Sequence, residues 1–396
     1  AYRIVLEKCT VLPETTDEDG FPCEDLNALS NWVRETWSSL INQRYLDIQA
    51  ANVAAYGASV VLTDASGTPV FPLYNYLKPF PEGWQTQLLE RYGGAEKIAC
   101  ETASPLLGNL NAGMQLYRLK RQYPEQFARV HRVLHLPQYV ASLLHGHFYS
   151  DHTGIGCHTM LWDFQKNDYH RWVREEGFLP LFPPIARSDA HARTGDEKIA
   201  VGTGLHDSSA ALLPYLCVFQ EPFVLLSTGT WCIALNPFNI EPLTLEALTQ
   251  DCLCYIAPHG QPVKAARYFG GHEHGQEVKR IAARHGVASD FYSTTSLQPR
   301  HPAEADYLTF MRTLIAKQAA SLRLVLPSEE PPRYLFVDGG FSKNRVYMQL
   351  LAQTFPEMIV CAAEAGQATA LGAALALHTA WNPLPIPRDM IEVRRF

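Results

Sequence analysis

Between residues 201 and 236 an acidic residue opens a short apolar helix, and two apolar strands follow, joined by a turn of small residues. The stretch reads VGTGLHDSSAALLPYL and then EPFVLLSTGTWCIALN, with Ser227, Thr228, Gly229 and Thr230 at the turn. Ser208 to Leu213 is good helical material and Pro214 disturbs it, which puts Asp207 at a helix cap or first turn. A cap uses the carboxylate only to accept an otherwise unpaired backbone N–H. The turn likewise has two readings. It is a plain hairpin turn, or a nest of N–H groups and hydroxyls into which phosphate oxygens fit. Neither element decides alone.

At 396 residues the chain is long for one core, so two domains are expected, 1–198 and 199–396, with the polar, aperiodic residues 187–198 as the linker. Hydrophobic residues at 47% against 18% charged give each domain a core, and a net charge of −7 with scattered basic residues speaks against nucleic acid or an anionic membrane as partner. No apolar run approaches a membrane span, and residues 1–10 lack the order of a signal peptide. Nine cysteines without a CxxC pair, two of them (Cys252 and Cys254) on one face of a strand, read as packed thiols. These features together point to a cytoplasmic protein.

In chain order, residues 2–7 read as a strand and residues 14–19 as an acidic loop. Leu26, Leu29, Val33, Trp37 and Leu40 follow helical spacing, so this helix is expected to pack on a sheet. Residues 48–55 read as one buried strand before Tyr56, Gly57, Ala58 and Ser59. Residues 71–82 form a loop rich in proline and aromatics, either a pocket wall or a surface connection. Residues 305–326 carry apolar side chains at helical spacing. Strand 334–337, the loop with Gly339 and Gly340, and a helix from Asn344 form the strand, turn, helix unit that α/β proteins use at nucleotide sites. A strand and a small-residue helix, 367–379, close the chain.

Gly339-Gly340 is neither a Walker A motif nor GxGxxG; two glycines admit a flat ligand, and equally a tight turn. The small residues of the last helix could seat an adenosine or permit close helix packing. His272, Glu273 and His274 lack the i, i+4 spacing of a zinc helix, so no metal site is assigned.

In combination, VGTGLHDSSAALLPYL, LLSTGTW, VDGGFSKN and ATALGAA resemble the FGGY carbohydrate kinases, with weaker echoes in NVAAYGASVVLTDASGTPV and LHLPQYVASLLHG. The His206-Asp207 pair and AYGASVVL look most like rhamnulokinases and related deoxysugar kinases. The resemblance implies an α/β fold of the actin, hexokinase and heat-shock ATPase type, two ribonuclease H-like domains with mixed five-stranded sheets and an interdomain cleft holding ATP and Mg²⁺. It implies that Asp207 is the catalytic base, that Thr228, Gly229 and Thr230 hold phosphate, and that Gly339, Gly340 and Asn344 face the adenosine. Gly57, Ala58 and His206 would line the sugar site, in the amino-terminal domain. The implied partners are ATP and a sugar, a ketose or deoxyketose such as rhamnulose or fuculose, with a homodimer as an option.

The loop PLYNYLKPF lacks the Trp-x-Asp-x-Arg pattern of many members, which leaves the sugar open. The first phosphate hairpin, with its Asp-x-Gly-Thr-like motif, is absent, and residues 2–7 look like its return strand. A preceding hairpin is therefore expected in the native protein, and residues lost from 187–197 would explain the short crossing. The competing reading is a non-catalytic nucleotide-binding or regulatory protein of the same fold. A hydrolase built on His272 to His274 ranks third.

Overall fold

The apolar spacing after residue 24 becomes the helix Leu26–Ile41, capped by Asp25, whose carboxylate accepts the N–H groups of Asn27 and Ala28. Only Leu26 and Ser30 of this helix are buried. The Ser30 hydroxyl meets that of Tyr139 at 2.9 Å on the helix Leu136–His145, and Leu26 joins a core cluster with Val61 and Leu134 of the strand pair Val60–Thr63 and Arg132–His135, so the element packs on a helix as well as on a small sheet.

A computed structural model describes residues 2–194 and 198–396, and the chain divides into two compact units. The first comprises Ala1–Pro214, Cys254–Pro262 and Gln367–Pro387; the second comprises Tyr215–Leu253, Val263–Gly366 and Arg388–Phe396. The units thus divide at Pro214, against an expected break after Lys198. Hydrogen bonding is the cause: Ile199–Gly202 pairs with both His191–Thr194 and Ala50–Ala51, and Leu205–His206 pairs in parallel with Ala54–Ala55. Within the expected linker, His191–Thr194 is a strand, and residues 195–197 lie outside the described residues.

The first unit holds its strands in separate sheets of two or three, where the resemblance implied one sheet of five. Asn52 shows why residues 48–55 are two short strands and not one. Its Oδ1 accepts the N–H groups of Val53 at 2.9 Å and Gly204 at 3.3 Å, and its Nδ2 donates to Ala373 O at 2.9 Å. A side chain that takes over backbone bonding in this way interrupts the ladder. Residues 2–7 find no strand partner among the described residues and run irregularly, with Ile4, Val5 and Leu6 exposed. Residues 14–19 are not a plain loop: Glu14–Thr16 pairs with Pro22–Glu24, and Asp17 accepts the N–H groups of Asp19 and Phe21 in the turn. The core gathers Leu88, Leu116, Met160, Trp172 and Phe178.

The second unit is built on a seven-stranded mixed sheet in the order Cys252–Ile256, Pro262–Tyr268, Cys232–Asn236, Phe223–Thr228, Tyr334–Gly339, Ile359–Glu364, Glu392–Arg395. Its last strand is fully exposed and largely charged, so no apolar alternation announces it in the sequence. The helix Pro302–Arg323 buries Tyr307, Leu308, Met311, Ile315 and Leu322, as its spacing requires. Cys252 and Cys254 both point inward, and burial pushes the Cys252 thiol up to about 12. Among the described residues no helix is long and apolar enough to cross a membrane.

Candidate active site

In the first unit the parallel register of Leu205–His206 on Ala54–Ala55 sets His206 beside Ala55 and brings Tyr56, Gly57 and Ala58 to the same end. A Cβ on Gly57 would lie 2.1 Å from Cys157 Sγ and 3.2 Å from His206 Cδ2, so any side chain there would have to displace the Cys157 thiol from His206. Ala58 adopts φ +64°, an uncommon conformation for a side-chain-bearing residue, and Gln115 Nε2 donates to its carbonyl at 2.7 Å. Gly57, Ala58, His206 and Asp207 are thus brought together.

Asp207 is the first residue of the helix Asp207–Val218. Its Oδ1 accepts the Ser208 N–H at 2.5 Å and the Ser208 hydroxyl at 3.2 Å, while its side chain keeps 42% exposure. Local bonding therefore occupies one oxygen of a carboxylate that solvent or a ligand can still reach. His206, buried behind it, sets Nε2 at 3.2 Å from Asp207 Oδ1 and at 3.1 Å from Cys157 Sγ. The Tyr255 ring stands 5.0 Å from the His206 ring. Cys157 and Tyr255 escaped the sequence reading, because no spacing links residues 157, 206 and 255. His158, at φ +40°, is a further strained residue next to them.

The loop of residues 71–82 is fastened to the first hairpin. Lys78 Nζ lies 2.5 Å from Asp17 Oδ2 and 2.7 Å from Asp19 Oδ2, and the Tyr74 and Tyr56 hydroxyls donate to Glu18 and Glu24. Burial pushes the Asp17 carboxyl up, but its bonds to the Lys78 ammonium and to backbone N–H groups outweigh this and hold it below the usual range. Tyr76 stands edge-on to Tyr56 at 5.9 Å.

Near this site, His135 is buried with both ring nitrogens unbonded. Burial first, and neighbouring His206 second, push it from 6.5 to about 4. The unfolded chain binds this proton near 6.5 and the folded chain only near 4, so stability present above 6.5 is lost as pH falls between those values. From these values His135 alone is expected to cost about 2 kcal/mol on going from pH 7 to pH 5. Urea unfolding at both pH values, compared between wild type and His135→Leu, measures that difference; an equal loss in the variant would refute it.

The second unit contains a pocket of about 470 Å³ lined by Thr228, Gly229, Gly271, His274, Tyr292, Ser293, Gly340, Phe341, Lys343, Asn344 and Arg345. Three turns meet here at distances that no Cβ allows. A Cβ on Gly339, at φ +87°, would lie 2.0 Å from Thr228 O, and one on Gly271 would lie 1.8 Å from Gly229 O. The Thr228 hydroxyl donates to Asp338 O at 2.5 Å and accepts the Phe341 N–H at 3.0 Å, so it braces the two turns. The Gly229 N–H donates to Trp231 O, and Thr230 O accepts the His272 N–H. Asn344 lines the pocket with its amide committed: Oδ1 accepts the Tyr347 N–H and Nδ2 donates to the Tyr307 hydroxyl at 2.7 Å. Gly340 is open, with nothing nearer than Thr228 O at 4.0 Å from a Cβ. The sequence reading missed Lys343 and Arg345, cations at this pocket, and weighed His274 only as a metal ligand, whereas it lines the pocket and its Nε2 meets the Tyr307 hydroxyl at 2.9 Å.

The small-residue helix Ala368–Ala376 takes the packing role. A Cβ on Gly372 would lie 1.8 Å from Ala210 O. His272, Glu273 and His274 diverge: His272 stacks on Phe269, Glu273 accepts from Tyr268 and Lys317, and His274 turns to Tyr307. Among the described residues one grouping has metal-ligand spacing, Glu101, Asp163 and His170. It is saturated from within. His170 Nε2 meets Glu101 at 2.9 Å and Nδ1 accepts the Trp172 N–H, while Asp163 takes Lys166 Nζ at 2.6 Å and two backbone N–H groups. With Nδ1 an acceptor, neutral His170 has its proton on Nε2 and no lone pair there for a metal.

Comparison with known proteins adds three family matches: the FGGY family of carbohydrate kinases, N-terminal domain, over residues 3–213; carbohydrate kinase FGGY, C-terminal domain, over 220–299; and the FGGY family of carbohydrate kinases, C-terminal domain, over 292–381. A rhamnulokinase of Halalkalibacterium halodurans is 22% identical over 227 residues, 55% of this chain and 48% of that protein. A probable D-xylulose kinase A of Aspergillus clavatus is 28% identical over 207 residues, 48% of this chain and 34% of its own length. The chain thus spans half or less of the length of these curated relatives. The crystal structure of a carbohydrate kinase from Novosphingobium aromaticivorans superposes with a TM-score of 0.76 at 23% identity, covering 97% of this chain and 87% of that one.

Proposed function

The chain belongs to the FGGY family of carbohydrate kinases, with its two-domain α/β fold of the actin and hexokinase type, and on that premise we propose that it transfers the γ-phosphoryl group of ATP to a sugar hydroxyl. The observation that carries this reading is the reachable Asp207 carboxylate, held at a helix start beside His206 and the closed turn at Gly57. Asp207 Oδ2 takes the hydroxyl proton as the sugar oxygen bonds to the γ-phosphorus and the bond to ADP breaks. A loose transition state needs positioning and charge stabilisation more than a strong base, which suits a carboxylate anchored through its other oxygen.

The first unit would carry the sugar, against Gly57, Ala58 and His206, and the second the nucleotide. There Gly229 and Thr230 serve the phosphates with Thr228 as brace, Gly339 and Gly340 admit the adenosine, and Asn344 fixes the wall through Tyr307. Lys343 and Arg345 supply positive charge for the phosphate chain. Magnesium enters as MgATP, part of the substrate. The saturated Glu101, Asp163, His170 grouping does not fit a resident ion, and no step runs through one. The cytoplasm, where MgATP is available, is the compartment that suits this reaction.

For the sugar we favour a ketose or deoxyketose of the rhamnulose or fuculose type. The names of the relatives, rhamnulokinase and probable D-xylulose kinase, support a ketose. Tyr56 and Tyr76 offer ring faces for a methyl-bearing sugar. A coupled ADP-release screen over ketoses, aldoses and polyols is expected to give its highest kcat/KM with a deoxyketose. Activity confined to glycerol or an aldohexose would overturn the substrate choice and leave the kinase standing.

A further inference from the structure

The hydrogen bonds around His206 can be counted proton by proton. Ser209 has one hydroxyl hydrogen, and it goes to Ile256 O at 2.9 Å, a buried backbone acceptor. The Ser209 oxygen also lies 3.2 Å from His206 Nδ1 and can only accept there, so Nδ1 carries the ring proton. Burial holds His206 below its ordinary range against the pull of the Asp207 carboxylate, so the ring is neutral near pH 7. Its Nε2 then presents a lone pair to the Cys157 S–H at 3.1 Å and to Asp207 Oδ1 at 3.2 Å. Of its other neighbours, Tyr255 packs on the ring and His135 is held neutral.

We propose that Ser209 is a positioning residue that fixes the tautomer of His206 and so denies the Asp207 carboxylate a hydrogen bond from its nearest ring nitrogen. The inference rests on the reading of Asp207 as the base and deepens it. Oδ1 already accepts two bonds from Ser208. A third donor would stabilise the ionised carboxylate, and that stabilisation is lost as the sugar proton arrives, which raises the barrier. The other tautomer, with its proton on Nε2, is that donor. Cys157 reinforces the arrangement, because an S–H has a hydrogen to give to the Nε2 lone pair.

Selective ¹⁵N-histidine labelling tests the tautomer in the intact protein without any need for turnover, with His206 assigned from its loss in His206→Gln. Wild type at pH 7 is expected to show a protonated Nδ1 and a bare Nε2. Ser209→Ala removes the acceptor and should move the proton to Nε2. In the same variant kcat is expected to fall about fivefold, with KM within about twofold, the weight of one hydrogen bond withheld until the transition state. Ser209→Thr keeps the hydroxyl and should keep both the tautomer and kcat. A merely structural Ser209 would lower the melting temperature of Ser209→Ala without moving its proton. A wild-type His206 protonated on Nε2, or on both nitrogens, overturns the proposal, as does a folded Ser209→Ala with an unchanged tautomer or unchanged kcat. Failure of the underlying reading is distinguishable: near-wild-type turnover by Asp207→Asn would remove the base itself, and the inference with it, whatever the tautomer.

Discussion

Asp207→Asn is expected to keep the fold and both ligands while turnover falls by about 10²- to 10⁴-fold. The side chain has two separable tasks. Its cap-like bonds use Oδ1 alone, from the Ser208 N–H and hydroxyl. Asparagine has an oxygen in the same place and is as good a cap, so stability should change by only a few tenths of a kcal/mol. The amide cannot take a proton from a sugar hydroxyl, so the loss falls on kcat and not on KM. Steady-state kinetics alongside a melting curve separate these tasks. A variant with near-wild-type kcat would reduce Asp207 to a helix cap.

Which parts of the molecule could be read from sequence follows from the range of the forces involved. Helix Pro302–Arg323 announces itself because its burial repeats along the chain, and helix Leu26–Ile41 because its apolar residues keep helical spacing although most of them are only half-buried. The turn at Thr228 and the pair Gly339-Gly340 were legible as small-residue turns, but their reason was not. The parallel register that sets Thr228 against Gly339 brings together residues more than a hundred positions apart, and the missing Cβ is needed for that approach. The same limit hid Cys157 and Tyr255 from the reading of His206, and although Ser209 is only three residues on, its part depends on the distant Ile256 carbonyl that takes its proton. Residues 48–55 misled for a local reason, the side chain of Asn52 competing with the ladder. Residues 2–7 have strand composition, but among the described residues no strand pairs with them, and composition alone forms none.

Gly340→Leu is expected to weaken ATP binding by about 5- to 150-fold, the equivalent of forcing about 1–3 kcal/mol of overpacking into a filled site. The position is suited to the test because the empty protein has room for the change. A Cβ there meets nothing nearer than Thr228 O at 4.0 Å, and the backbone is outside the left-handed range that glycine alone tolerates. Gly340 lines the pocket with Thr228, Lys343 and Asn344, where the adenosine is proposed to lie, so the longer side chain is expected to take up room there. Its neighbour is the control. At Gly339 a Cβ would lie 2.0 Å from Thr228 O with φ at +87°, so even Gly339→Ala must push two turns apart and should lower stability along with affinity. Calorimetric titration with ATP and a thermal melt of each variant should therefore separate them: affinity lost at unchanged melting temperature for Gly340→Leu, both lost for Gly339→Ala. A folded Gly340→Leu that binds ATP as tightly as wild type would move the nucleotide out of this pocket.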